Sequence, residues 1–507
     1  MKKDSIIIAL LGVLIGVCLM LTVSKFKETR RMYSSSAGDW RKLNLILQSI
    51  DENYVDSVDR KKVTDAAVVA ALAALDPHSS YLQPESLQET ESELAGNFDG
   101  IGIQFNVPND TAIVLEVIPG GPSEKIGLMP GDRILKVGET DIAGVEFPQD
   151  SMVRRMKGPA GTKVTVTIGR GDEVIPFEIT RGKIPTHSVD AAFMVNDTTG
   201  YLRLSKFAAT TSAEFLTNCA DLLSQGMRHL MVDLRDNSGG FFDQALNLSN
   251  FFLTKGSDIV YIEGLHRKKE EYKADGRGPL QELGLTVLID DGSASSSEIF
   301  AGAIQDNHRG LLVGRRSFGK GLVQEPVYFT DGSGVRLTVA RFYTPSGRCI
   351  QKPYSDDYDL EVLKRYNSDE MIYADSMKVE NGGIIPDVFV PIDTTKVGKF
   401  YIGCNRKATA MRFASAYFDT NRSELSSIED YGKLIQYLDN AGLEQKFLYF
   451  ARTKDGLAPE ADEWKIEQQY MMTQVRALVG RYSKLGDKAY YHLYLEIDDV
   501  VKAALNQ

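Results

Sequence analysis

Apolar and polar positions change rhythm several times along the chain, and each change marks a segment. Residues 6–23 form an uncharged apolar run. As a helix rising about 1.5 Å per residue, such a run just crosses a bilayer. It predicts a transmembrane signal-anchor over residues 1–24, favoured over a removed signal peptide because no small-residue cleavage site follows and the branched Val17 precedes Cys18. Basic residues flank it on both sides (Lys2 and Lys3, then Lys25, Lys27, Arg30 and Arg31), so charge does not assign its orientation. From residue 39 to 74 the apolar positions Leu43, Ile46, Leu47 and Ile50, then Val63, Ala67, Val68 and Ala71, recur at helical spacing. They predict two or three amphipathic helices, broken by Asp76-Pro77. The acidic stretch 85–93 that follows reads as loop or helix.

Between residues 96 and 183 the rhythm shortens to small apolar strands separated by Gly and Pro turns, which predicts a β-rich module. In Gly100-Ile101-Gly102-Ile103 the glycines leave backbone N–H groups free to receive a peptide carboxylate. The strand that follows offers an edge for an extended peptide to pair with. Together with Gly127-Leu128-Met129-Pro130-Gly131-Asp132-Arg133-Ile134, this segment resembles the PDZ family; a plain Gly-rich hairpin is the simpler alternative.

Beyond residue 185 strands and helices alternate, the pattern of an α/β core. The strand 229–235 runs into Asp236-Asn237-Ser238-Gly239-Gly240 and then an apolar helix. A turn of this kind can cradle an oxyanion or serve only as a tight connection. A second strand, 285–289, leads through Asp290-Asp291-Gly292-Ser293-Ala294 to a helix opening at Ser295. Ser295-Ser296-Ser297-Glu298 fits a capping box, which needs no chemistry. The same position suits a nucleophile, because the positive helix end stabilises alkoxide and oxyanion charge. A serine nucleophile needs a base, and Lys320, in the glycine-flanked loop Phe318-Gly319-Lys320-Gly321, is the candidate. It must be largely neutral, with burial lowering an ordinary value of about 10.4 toward about 7–8. Gln324, four residues on in an extended chain, shares a face with Lys320 and could accept a hydrogen bond from its amine.

Composition narrows the remaining options. Asp and Glu outnumber Lys and Arg by 69 to 58, giving a formal charge of −11, and no basic run is interleaved with aromatics, which argues against a nucleic-acid partner. Cys18, Cys219, Cys349 and Cys404 are too scattered for a disulfide framework or a zinc site. The six histidines form no metal motif, so no metal and no cofactor are expected. Ser317-Phe318-Gly319-Lys320 also satisfies an S-x-x-K pattern, but the S-D-N and K-T-G elements that accompany it in penicillin-binding acyltransferases do not occur in the chain.

Gly292-Ser293-Ala294-Ser295-Ser296-Ser297-Glu298 followed by Phe318-Gly319-Lys320-Gly321 and Gln324 resembles the carboxyl-terminal processing (tail-specific) protease family. Leu75-Asp76-Pro77-His78-Ser79-Ser80-Tyr81-Leu82 and Phe342-Tyr343-Thr344-Pro345-Ser346-Gly347-Arg348 extend the likeness to about residues 40–395. The resemblance implies a serine endopeptidase with Ser295 as nucleophile, Lys320 as general base and Gln324 as orienting amide. Its oxyanion hole would be built from the backbone N–H of Ser296 and that of Gly239 or Gly240, with Gly239 preferred. The chain departs from the family at Ser296, where Ala is usual, and at Ser238, where Pro is usual.

The expected architecture is a multidomain α/β (α+β) protein. It comprises an anchor (1–24), an N-terminal helical region (25–95), a PDZ module (96–184), an α/β protease core (185–400) and a helical C-terminal extension (401–507). Protein substrates with accessible C-terminal tails are the implied partners. The expected location is the inner membrane, single-pass, with the catalytic part on the periplasmic or extracytoplasmic side. A docking or dimerising role for the extension, and hence a homo-oligomer, is left open. The rival class is a non-catalytic PDZ scaffold carrying a degenerate protease domain.

Overall fold

The computed structural model describes residues 36–107, 110–354 and 382–507. The chain divides after Tyr81 into two compact units. In the first, the helical periodicity yields two helices, Ser36–Asn53 and Arg60–Ala73. Asp59 caps the second by accepting the Lys62 N–H. Asp76 closes the turn that follows, its carboxylate taking the N–H groups of His78 and Ser79 at 2.8 and 2.7 Å.

The expected membrane placement is corrected. Among the described residues no helix is long and apolar enough to cross a bilayer. The longest of them, the 20-residue Ala461–Gly480, carries Asp462, Glu463, Lys465, Glu467 and Arg476. Residues 6–23, on which the expectation was built, lie outside the described residues.

The second unit contains the β-rich module, the α/β core and the helical extension. The module is entered and left through an antiparallel pair, Asn97–Gly100 against Gly182–Pro185, in which Asn97 faces Pro185 and Gly100 faces Gly182. Between them lies a six-stranded antiparallel sheet closed over Val114, Ile134, Met152, Val166, Ile168 and Ile179. Ile103–Asn106 stands at its edge, among the described residues paired only with Ala112–Val117.

The core sheet runs in the order Val189–Met194, Thr199–Leu204, His229–Asp233, Gly284–Ile289, Leu311–Gly314 and Val388–Phe389. Its first pair is antiparallel and the others parallel. The near-continuous burial of the central strands is what a parallel sheet covered on both faces requires. Helices Thr211–Ser224, Phe242–Phe252 and Ser296–Asp306 fill one face around Phe215, Leu248, Phe252 and Phe300. The other face, with Tyr201, Met231, Leu288 and Val313, is covered by Leu495, Val500, Val501 and Ala504 from the end of the chain. The predicted helical extension is therefore also a layer of the α/β core. Most of it packs around its own centre, which includes Phe413, Phe418, Phe447, Met471 and Val475.

Candidate active site

Parallel pairing sets the site. Strands His229–Asp233, Gly284–Ile289 and Leu311–Gly314 run side by side, with Asp233 opposite Leu288 and Ile289 opposite Gly314. Their C-terminal ends therefore release three turns at one edge: residues 234–240, residues 290–295 and the loop that carries Lys320. Loops at the carboxyl ends of parallel strands are where open α/β sheets collect their functional groups.

Short polar side chains stitch the first two turns together. Asp290 accepts the N–H groups of Asp236 and Gly292 at 2.9 and 3.0 Å, and the Ser293 hydroxyl donates to the Leu234 carbonyl at 2.8 Å. The Asn237 carbonyl accepts the Ala294 N–H and the Ser297 hydroxyl, each at 2.9 Å. Ser296, at a position where the resembled family usually carries Ala, donates its hydroxyl to the carbonyls of Gly240 and Phe241 at 3.0 and 3.2 Å. That hydroxyl braces the first turn against the helix.

Ser295 stands at the helix N-cap with φ 55° and ψ −113°, a conformation that non-glycine residues rarely adopt. It is half-buried, whereas Ser296, Ser297 and Glu298 are buried. Gly239 packs directly on it: a Cβ at Gly239 would lie 2.8 Å from the Ser295 Cβ and 2.9 Å from the Ser296 nitrogen. The Gly239 N–H already donates to Asn237 Oδ1 at 2.9 Å. Gly240 presents its carbonyl to the Ser296 hydroxyl.

Glu298 carries more than half of a capping box. Its Oε2 accepts the Ser295 N–H at 2.8 Å, as the capping pattern anticipates, and also the Lys320 N–H at 2.9 Å. Its Oε1 accepts the Ser317 hydroxyl at 2.6 Å and the Gly319 N–H at 2.7 Å. The backbone nitrogens of Ser295 and Lys320 thus share one oxygen and cannot be farther apart than those two bonds together. Burial pushes the Glu298 carboxyl above its ordinary value, and the four donors oppose that shift. Ser317, the serine of the competing S-x-x-K pattern, is fully buried. Its hydroxyl donates to Glu298 and accepts the Ile384 N–H at 2.6 Å, a structural assignment for that residue.

Lys320 lies in the loop before strand Leu322–Tyr328 and is half-buried. Gln324 lies within that strand, also half-buried, but the pairing with Gly334–Tyr343 shifts register between Val323 and Gln324. The extra residue at that shift, Val339, belongs to the partner strand, so alternation along Leu322–Tyr328 is unbroken; Lys320 itself precedes the strand. In the β-rich module, Ile101 turns into the core, with its carbonyl accepting the Ser123 N–H and hydroxyl. Gly102, at φ +78°, makes the bend, and Ile103 begins the edge strand. Among the described residues no group of three or more His, Cys, Asp or Glu side chains is placed to share a metal ion.

A family model described as Peptidase family S41 matches residues 198–360, and one described as PDZ domain matches residues 100–180. The chain is 32% identical over 349 residues to the Carboxy-terminal processing protease CtpA of Bacillus subtilis (strain 168), covering 68% of this chain and 74% of that protein. It is 31% identical over 350 residues to a Probable CtpA-like serine protease of Staphylococcus epidermidis (strain ATCC 12228 / FDA PCI 1200), covering 68% and 70%. Among solved structures, a photosystem II D1 C-terminal processing protease aligns at 29% identity over 72% of this chain and 89% of that one, with a TM-score of 0.41. With a PDZ domain ahead of an S41 protease domain and a helical region after it, the chain belongs to the carboxy-terminal processing serine proteases of peptidase family S41.

Proposed function

We propose that the chain hydrolyses peptide bonds in proteins whose C-terminal tails its PDZ domain captures, using Ser295 as nucleophile and Lys320 as general base. Ser295 Oγ attacks the scissile carbonyl as its proton passes to the Lys320 amine. The tetrahedral oxyanion is held by the Ser296 N–H at the helix start and by a donor from the glycine pair. Because the Gly239 N–H is engaged by Asn237, Gly240 is the better second donor. Collapse expels the leaving amine, which takes the proton from Lys320, and leaves an acyl ester on Ser295. Water attacks that ester as Lys320 accepts its proton, and the carboxylate product departs as the proton returns to Ser295. Gln324 steadies the lysine amine. On the PDZ side, an extended tail adds to the edge strand Ile103–Asn106, with its carboxylate near the Gly100–Ile103 backbone. The proposed domain limits are 96–184 for the PDZ module, 185–400 for the core and 401–507 for the extension.

The observation that carries this reading is the single Glu298 oxygen shared by the backbone of Ser295 and Lys320. The test is cleavage of an unfolded, apolar-tailed reporter by the parent, Ser295→Ala and Lys320→Arg. The expected result is chelator-insensitive cleavage by the parent alone, with tail binding kept in all three, since a guanidinium cannot give up its proton to become a base. Parent-like cleavage by Lys320→Arg overturns the base assignment. Binding without cleavage by the parent points to the scaffold class.

A further inference from the structure

Arg235 stands immediately before the turn that carries Gly239 and Gly240, and it is held from two sides. Its Nε and NH2 meet Asp233 Oδ1 and Oδ2, on its own strand end, at 2.9 and 2.6 Å. The same NH2 meets Asp498 Oδ2, from the last segment of the helical extension, at 2.7 Å. The side chains of Arg235, Asp233 and Asp498 are 15%, 0% and 7% exposed, so water screens these contacts poorly.

Asp498 also caps the helix Asp499–Leu505, its Oδ1 accepting the N–H groups of Val500 and Val501 at 3.0 and 3.2 Å. One carboxylate thus fastens a helix start with one oxygen and Arg235 with the other. The extension reaches the same cluster again at Tyr491, whose ring lies under the Arg203 guanidinium. Arg203 in turn pairs with Asp233 at 3.2 Å, and the Tyr201 hydroxyl donates to Asp233 at 2.6 Å. Two buried carboxylates face two guanidinium groups in this cluster, and a third carboxylate, the exposed Asp236, reaches Arg203 only at 3.9 Å. Without the charge of Asp498, Asp233 would be the one buried carboxylate left in the cluster, and Arg235 would lose its anchor on the side away from its own strand. The next residue, Asp236, sits at φ 57°, and its N–H is fixed on Asp290, so little slack separates Arg235 from the turn.

We propose that Asp498 is a positioning residue for the hydrolysis: through Arg235, the C-terminal extension sets the turn that presents the oxyanion donor. The proposal rests on the reading of residues 234–240 as part of the oxyanion hole. The test compares full-length Asp498→Asn with the parent on a short ester substrate that does not need the PDZ domain, reading kcat and KM separately. Asparagine keeps the helix cap and removes the charge. The expected result is a kcat lowered about 10–100-fold with KM within about twofold, and a parallel fall in the labelling rate of Ser295 by a fluorophosphonate.

Lys396→Met supplies the control for general loosening. It removes the Lys396–Asp499 ion pair at 2.6 Å from the same helix without touching Arg235. It is expected to lower the unfolding temperature while leaving kcat unchanged. A parent-like kcat in Asp498→Asn, or an equal loss in Lys396→Met, overturns the proposal. Asn237→Ala separates the two readings, because it loosens the turn itself, releasing the Gly239 N–H and the Leu204 carbonyl, without adding bulk against Ser295. If it lowers kcat while Asp498→Asn does not, only the role of Asp498 fails; if it too leaves kcat unchanged, the oxyanion reading of the turn itself fails.

Discussion

Glu298 is the residue whose importance grew most between sequence and structure. The pattern Ser295-x-x-Glu298 anticipated the bond to the Ser295 N–H, because both partners lie in one helical turn. The bonds to Ser317, Gly319 and Lys320 cross from one loop to another, and no local pattern encodes them. For the same reason short motifs single out Ser295 and Lys320 as candidates, whereas the engaged N–H of Gly239 lies outside what they encode. Its partner is a side chain two residues away, in a turn whose geometry only the folded chain fixes. Glu298→Gln keeps the shape but turns an NH2 group toward two of the four donors. It is expected to destabilise the fold by about 2–4 kcal/mol, the cost of leaving two buried donors unsatisfied, and to lower kcat at least about tenfold. Chemical denaturation and ester turnover on the same preparation check both halves. Unchanged turnover would reduce Glu298 to an ordinary helix cap.

At the scale of elements, strand and helix rhythms were read well because each is a local periodicity: the β-rich module, the alternating core and the helical extension follow one another in the order that apolar spacing predicts. What periodicity could not convey is which surface an element covers. The apolar residues Val500, Val501 and Ala504 look like those of any short helix, yet they close the second face of the core sheet. The register shift beside Gln324 was equally hidden, since a bulge depends on the partner strand. Helix Asp487–Tyr494 carries a consequence of that covering role. His492 is stacked between Phe193 and Tyr431, with ring centroids 4.3 and 3.7 Å away, and burial, aided by nearby Lys488, lowers its pKa from 6.5 to about 4. The unfolded chain therefore binds the proton more readily than the folded one. The stability tied to neutral His492 is fully present above about pH 6.5 and is lost as pH falls from there toward about 4. After allowance for partial exposure this amounts to about 2 kcal/mol. Thermal unfolding between pH 7 and 4 should reveal it, and His492→Phe, which keeps the stack without a titrating group, should flatten that part of the profile. An identical pH profile in the two proteins would refute the assignment.

For the second unit as a whole, the extension grips the PDZ module as well as the core. Arg133 pairs with Asp419, Arg422 donates to the Pro130 carbonyl, and Leu115 packs against the centre of the extension. Gly131, at φ +82°, has no room for a side chain because Arg422 and Phe418 occupy the space. Arg133→Asp is expected to raise KM for a tailed protein several-fold while sparing turnover of a short ester, and the exchange Arg133→Asp with Asp419→Arg should restore it. If the single variant leaves the tailed substrate untouched, the grip has no bearing on delivery. None of this was visible in the sequence, where the pairs stand nearly three hundred positions apart. The antiparallel pair at the base of the PDZ module has a different kind of consequence. Since the chain goes out at Asn97 and comes home at Pro185, side by side, everything between is a cassette with one covalent stem: a foreign tail reader with closely spaced ends could be spliced onto that stem, redirecting the protease to new clients provided that it also fills the surface the extension now grips.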